Sequence, residues 1–455
     1  MRDVKPVSSA AHADITAADL NTIPEHSGSR SAPVADDIKP LDGHRKALTL
    51  LVLAYTLSIT DRMILSILFP DIKAEFGLSD TQLGLLGGLS FALFYASLGI
   101  PIARAADQYN RKIIIVIALV VFSLMTTLSG WASGFIMLLL FRIGVGVGEA
   151  GVNPATHSII ADYFPPKRRS FAMAILMLGA NLGMMIGFAG GGYVAELYSW
   201  RVALMAVGVP GLLLAVVMSF YLREPPRGTL DANIGNKESI APPPPILTSA
   251  VTMWANPAMR HLVAGSTVTG MMSYGLTQWL PTFFVRSHEM SQSQVGIMMA
   301  VVFGLLGAAG ALTSGRIADK LAYKGFQYGV WVVAASQVMS IPFFMLALLA
   351  DNLTLAMIFF IIPAFTANFY LGPSLALVQT LAPLRMRAVA SAIKMLCLNL
   401  IGMGLGPLVV GLLSDLLMPI YGDSALNVAL ASFTLIGLWG ATHFVLCGKA
   451  LARAR

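Results

Sequence analysis

Asp61 and Arg62 stand side by side inside LLVLAYTLSITDRMILSILFP, an apolar stretch otherwise long enough to cross a bilayer. A charge at the centre of a membrane helix costs roughly 2.5–3.5 kcal/mol by the lower estimates, so such groups pair or face a polar cavity. They usually mark an ion or substrate pathway. A second set lies in FRIGVGVGEAGVNPATHSIIADYF, where Arg142 and Glu149 are seven residues apart. Two helical turns place them on one face, about 10 Å apart along the axis. An arginine fork binds carboxylate or phosphate. An anion that takes over the arginine frees the carboxylate, and burial then favours its protonation. Asp61 and Glu149 are therefore candidate proton carriers, with no ranking between them, and Arg62 and Arg142 are candidate anion ligands. The plainer alternative for Arg142 and Glu149 is an internal salt bridge that only fixes packing.

These residues need a scaffold, and composition supplies its class. The chain has 455 residues, 56% of them hydrophobic and 12% charged, against ~25% charged in soluble domains. Twelve apolar runs can be marked: 46–72, 80–106, 111–132, 134–163, 169–198, 201–222, 258–287, 292–319, 327–350, 353–381, 387–418 and 425–448. They lack the two-residue alternation of a membrane barrel, so an all-α membrane protein of twelve transmembrane helices is expected.

The net charge of +7 is not a nucleic-acid signal, because the basic residues lie in short clusters between apolar runs. One set of loops carries Arg45-Lys46, Arg111-Lys112, Lys167-Arg168-Arg169, Arg223, Arg227, Arg316, Lys320, Lys324, Arg385 and Arg387. The other carries little beyond Lys73, Arg201 and Arg286. The positive-inside rule places the first set, and both termini, in the cytoplasm. Residues 1–44 are polar, lack the apolar core of a signal sequence and are expected to form a disordered cytoplasmic tail. Cys397 and Cys447 each sit in an apolar run, which argues against a structural disulfide. No zinc spacing, nucleotide loop or hydrolase elbow is present, so neither an enzyme nor a cofactor or metal is expected.

The Pro-rich stretch 224–256 divides the chain into bundles 45–223 and 257–455 of six helices each. Duplicated halves with a site between them recur among transporters. A weak repeat supports this, ARAADQYNRK (103–112) against GRIADKLAYK (315–324). Asp107, Arg111, Lys112, Arg316 and Asp319 in these loops are expected to latch the halves together on the cytoplasmic side. The alternative is that they only set topology.

The first of these loops resembles the signature between helices two and three of the major facilitator superfamily, with Asp107, Arg111 and Lys112 matching and Ala103, Gln108 and Asn110 departing. FGLSDTQLGLL (76–86), YNRK (109–112), the Asp61-Arg62 pair and GVGEAGVNPATHSIIADYFPPKRRS (146–170) together resemble the spinster family within that superfamily. The resemblance implies a bacterial inner membrane protein of two pseudo-symmetric six-helix bundles acting as a monomer. It implies movement of sphingosine-1-phosphate or a lysophospholipid with proton coupling. It places helices one and four around the central cavity; Tyr55 and Asn153, on those two helices, are further candidate substrate-binding residues.

The corresponding helices of the second half carry no central charge. Run seven offers Met271, Met272, Tyr274, Gln278 and Trp279, and run ten offers Phe365, Asn368, Phe369 and Tyr370. A cavity charged on one side and apolar on the other suits an amphipathic substrate, and Tyr274, Gln278 and Tyr370 are its candidate polar contacts. Lys394 is expected to snorkel to the cytoplasmic interface, and His443 to be a packed or interfacial histidine. The expectation is a proton-coupled secondary transporter of an amphipathic anionic lipid. Its rivals are a carrier of a small organic anion or drug and, from another class, a lipid scramblase or lipid sensor.

Overall fold

The computed structural model describes residues 39–228, 230, 245–383 and 386–453. Residues 1–38 of the expected tail, most of 229–244 in the linker, and Arg385 lie outside the described residues. Among the described residues every regular element is a helix. With no water in the hydrocarbon core, only structures that satisfy their own backbone groups can cross it.

The first half contains α1 (His44–Phe76), α2 (Asp80–Gln108), α3 (Arg111–Ser129), α4 (Phe135–Tyr163), α5 (Pro166–Leu197) and α6 (Trp200–Tyr221). A short helix, Ile246–Ala255, follows in the linker region. The second half contains α7 (Pro257–His288), α8 (Gln292–Ala322), α9 (Phe326–Leu349), α10 (Leu353–Leu381), α11 (387–421) and α12 (425–453). The starts of α2 and α8 use one device. Ser79 with Gln82, and Ser291 with Gln294, form reciprocal capping boxes. The repeat seen weakly in sequence is thus also a repeat of local structure.

Four helices border the seam between halves, and each is irregular near its middle. α2 breaks at Gly88 (φ −120°, ψ −92°). α5, α8 and α11 carry π-helical segments at Ile186–Gly190, Val302–Leu306 and Leu398–Met403. A π segment inside an α-helix is rare and is frequently found at functional sites.

The apolar core shows how the halves meet. One face of the molecule carries the α2–α3 loop and the linker, and is called here the linker face. At the opposite face one cluster draws on both halves, with Phe69, Leu83 and Phe188 against Trp279, Phe303 and Val410. Toward the linker face it divides. One cluster belongs almost wholly to the first half, with Leu51, Phe122 and Ile159. Another belongs to the second half, with Leu262, Val333 and Phe444. The seam is therefore packed shut at the opposite face, and the two bundles keep separate cores at the linker face.

Candidate functional site: a crossed charge cluster beneath a closed seam

Alternate glycines of α4 build the frame of the site. A Cβ on Gly146 would lie 2.6 Å from the Phe91 carbonyl oxygen, and one on Gly148 would lie 2.6 Å from the Phe122 nitrogen. Bare glycine lets α2 and α3 come against α4 at backbone distance. Phe91 and Tyr95 then stack, with centroids 5.4 Å apart. The Arg62 guanidinium lies 4.5 Å from the Tyr95 centroid and 5.0 Å from that of Phe91, an arrangement that stabilises a partly desolvated cation.

The four charges pair crosswise between helices. Arg142 Nη1 lies 3.0 Å from Asp61 Oδ2, and the Thr126 hydroxyl donates to the other oxygen of Asp61. Arg62 Nε donates to Glu149 Oε2 at 2.6 Å, as does Ser58 Oγ at 2.7 Å. The neighbours Asp61 and Arg62 do not pair with each other, and Arg142 and Glu149 form no staple within α4. Consecutive residues diverge by about 100° around a helix, so Asp61 and Arg62 address different partners. Both carboxylates are fully buried, as is all but 2% of Arg142.

Polar atoms without partners converge here: Arg142 Nε, Glu149 Oε1, Asn153 Oδ1 and Gln278 Nε2. Arg62, Arg142, Tyr274 and Gln278 line a small cavity of about 20 Å³, with Phe91 and Met403 among its walls. The cavity touches both halves, since Tyr274 and Gln278 come from α7. Asn153 Nδ2 donates to Tyr95 Oη at 2.9 Å, which ties it to the roof over Arg62. Tyr55 packs against the same first-half core as Tyr274. Tyr370 is not among the residues around this cavity. It is buried and lines a separate void inside the second bundle with Thr269 and Gln337. A larger cleft of about 330 Å³ runs from Tyr95 to Asp107 along α2, bounded by Ala150 and Pro154 of α4 and by Ile393 and Leu396 of α11.

The linker-face latch expected from sequence is not formed. Arg111 is buried and turns back into its own half. It donates to Asp162, to Glu224 Oε1 at 2.7 Å and to Pro225 O at 3.0 Å. The Lys112 backbone N–H donates to Glu224 Oε2 at 3.0 Å. Asp107, Arg316 and Asp319 are exposed, with no ion pair among the described residues. Arg111 is taken up inside its own half, and the two halves keep separate apolar cores at this face.

A latch that the sequence reading missed closes the opposite face. Asp80, at the start of α2, accepts from both Nη atoms of Arg286 at 3.0 Å each, and from Ser414 Oγ at 2.7 Å. Lys73 Nζ lies 2.5 Å from its Oδ1. Asp415 of α11 in turn accepts from the N–H groups of Asp80 and Thr81 at 3.0 and 2.7 Å. At the second seam Ser293 N–H donates to Glu196 Oε2 at 2.8 Å. Lys73 and Arg286 were legible only as sparse loop charges. A partial signal was present, because Ser79-Asp80 opens a capping box and an acid in a first helical turn is held ionised by the helix dipole.

Two other expectations change. Lys394 does not snorkel: it is fully buried, and its amine donates to Ser374 Oγ at 2.7 Å. Its position on α11 faces the second-half core, and the helix has no freedom to turn the amine toward water. His443 is packed, with Nδ1 2.9 Å from His261 Nδ1.

The Major Facilitator Superfamily model matches residues 51–407. The chain belongs to that superfamily. It is a multi-pass membrane transporter by family and not an enzyme. It is 32% identical to an MFS-type efflux pump of Mycolicibacterium smegmatis over 399 residues, 86% of this chain and 90% of that protein. It is 26% identical to protein spinster homolog 1 of Homo sapiens over 443 residues, covering 90% and 81% of the two chains. The crystal structure of a bacterial homologue of the human lysosomal transporter spinster, inward-facing and unoccupied, superposes with a TM-score of 0.82. That protein is 27% identical, with 92% of this chain and 99% of that one covered. In this structure the seam is closed at Asp80 and the Asp107 latch is unformed.

Proposed function

We propose that this transporter carries an amphipathic anionic lipid, a lysophospholipid or a sphingosine-1-phosphate-like molecule, across the bacterial inner membrane by proton-coupled alternating access. The linker face, with both termini, is the cytoplasmic side. One observation carries the reading. Unpartnered donors on Arg142 and Gln278 surround a cavity beside two buried carboxylates, next to a long cleft walled largely by small and apolar residues. Donors fit a phosphate head group, and the cleft fits a tail. A phosphate oxygen that engages Arg142 or Arg62 competes with Asp61 or Glu149. The displaced carboxylate then sits buried without its cation and takes up a proton. Release of the head group restores the pair and expels the proton.

Liposomes with an imposed pH difference and labelled lysolipids of graded tail length test the reading. Wild type is expected to show saturable, pH-driven uptake that rises with tail length. Arg62→Ala is expected to abolish uptake, and Glu149→Gln to leave residual flux that no longer responds to pH. Pair disruption alone would not separate lipid from proton. If the Asp61→Asn, Glu149→Gln double variant folds and its flux still follows the pH difference, the proton assignment fails. A second reading, a small organic anion, is favoured by the tightness of the central cavity. Equal competition by short-tailed and long-tailed compounds would establish it in place of the lipid. Flux that neither saturates nor responds to pH would indicate a scramblase instead.

A further inference from the structure

At the linker face, remote from the charge cluster, a recess of about 350 Å³ lies between the start of α1, the end of α4 and the end of α6. Its frame is fixed by two bonds. Leu41 N–H donates to Tyr163 O at 3.0 Å, and Tyr163 Oη donates to Arg223 O at 2.9 Å. Three charged side chains line it, Asp42, Lys46 and Arg223. None of them forms an ion pair among the described residues. α1 begins after Gly43 with no side-chain cap; the His44 N–H is taken by Leu41 O at 3.1 Å, which leaves the next N–H groups of the first turn for an outside acceptor.

The lipid-facing side of α6 leads into this recess. Leu213, Val216, Phe220 and Tyr221 are 63%, 57%, 78% and 66% exposed. The spacing 213, 216, 220 forms one stripe along a helix. It runs from the membrane interior to the recess, and aromatic rings are at home at that boundary. A molecule filling both features has an apolar tail along the stripe and a head group carrying one anion and one cation. Two cations and one carboxylate around a single space match that pattern, whereas an all-basic pocket would match a purely anionic head.

We propose that this recess binds the phosphoethanolamine head group of a membrane phospholipid, with its phosphate between Lys46 and Arg223 and its ammonium on Asp42. The ammonium donates N–H bonds to the carboxylate. A choline head has no N–H to donate, and a glycerol head has no positive charge. The site is therefore selective among lipids that share the same phosphate and tails. It is separate from the transported substrate, and its occupant anchors the first bundle where α1 and α6 leave the membrane.

The test uses the full-length protein in phosphatidylcholine nanodiscs, alone or with a minor share of phosphatidylethanolamine or phosphatidylglycerol. Thermal unfolding and native mass spectrometry of retained lipid are read together, since a ligand that binds the folded state raises its melting temperature. Phosphatidylethanolamine is expected to raise the melting temperature by a few degrees and to be retained several-fold over the other two. Asp42→Ala is expected to erase the preference over phosphatidylglycerol while keeping lipid retention. Lys46→Ala with Arg223→Ala is expected to lose both. Lys449→Ala, an exposed cation near the end of α12, should change neither. Equal retention of the three lipids by wild type, or an undiminished preference in Asp42→Ala, would overturn the proposal. These readouts involve no transport, so they stand apart from the fate of the substrate assignment.

Discussion

The two bundles share one fold and differ in where they put charge. At its centre the first holds two buried carboxylates, Asp61 and Glu149, and two arginines, Arg62 and Arg142, each engaged by an opposite charge on another helix. The second buries one amine, Lys394, held by a single hydroxyl with no carboxylate partner among the described residues. On the helices that correspond to α1 and α4, namely α7 and α10, it offers Tyr274, Gln278 and an apolar wall. The same packing rules thus support a titratable face and a neutral face, and the chemistry belongs to side chains set into a common scaffold. A transporter whose halves were chemically alike would have no preferred orientation for a molecule with a head and a tail.

Breaking one partner of a crossed pair should have the largest effect. Asp61→Ala leaves Arg142 buried without its anion and is expected to lose about 3–5 kcal/mol of stability, read by thermal unfolding in detergent. Adding Arg142→Met should recover much of that loss. If the single variant melts like wild type, the pair is not holding the bundle, and the contrast between halves loses its energetic basis.

The closed seam comes next. Asp80→Ala removes charge-assisted hydrogen bonds worth about 1.5–3 kcal/mol from a state that the opposite conformation lacks. The expected result is a shift of population and not unfolding. Spin labels on the α1–α2 and α7–α8 loops should report longer distances, whereas Asp319→Ala should leave those distances unchanged. Shorter distances from the second variant, with no change from the first, would transfer the latch to the linker face.

Gly146→Val probes the frame. Its side chain would meet the Phe91 backbone, and overpacking of this kind costs about 1–3 kcal/mol. Uptake of substrate should fall further than the melting temperature predicts, because Phe91 holds Arg62. The smallest effect is expected from Lys394→Met. An apolar side chain of similar length removes the desolvation penalty of the amine, and Ser374 Oγ already has an acceptor in the Leu371 carbonyl. Stability should rise by up to about 1 kcal/mol with flux unchanged. A loss of flux in a stable Lys394→Met variant would show that the second half also carries chemistry.

Much of this was legible along the chain. The number and length of the helices followed from apolar runs, and the charged residues stood out because lipid makes them expensive. Gly144, Gly146 and Gly148 announced close helix contact. The glycines of GANLGMMIGFAGGG likewise bring α5 onto α1, where a Cβ on Gly187 would meet Thr60 at 2.9 Å. Partner choice was hidden. Asp61 and Arg62 are adjacent, and sequence adjacency invited them to be paired, but each is bonded to a residue more than 80 positions away. The Asp107 and Asp80 latches illustrate the same limit. Both are charges at helix ends, and nothing local says which face is shut.

The sequence by itself determined that the chain is a bundle of membrane helices in two related halves, with the facing acids and arginines of helices one and four in the first. Hydrophobic length, turn chemistry and lysine–arginine asymmetry are local properties, and lipid enforces them segment by segment. Only the tertiary structure decided that the charges pair crosswise and that Lys394 points inward. It also decided that the seam closes at Asp80 and that Tyr370 lines a separate void and not the central cavity. Those outcomes depend on the rotation of each helix about its axis and on which bundle end is closed. They are set by packing among distant segments, for which one chain read residue by residue carries no coordinate.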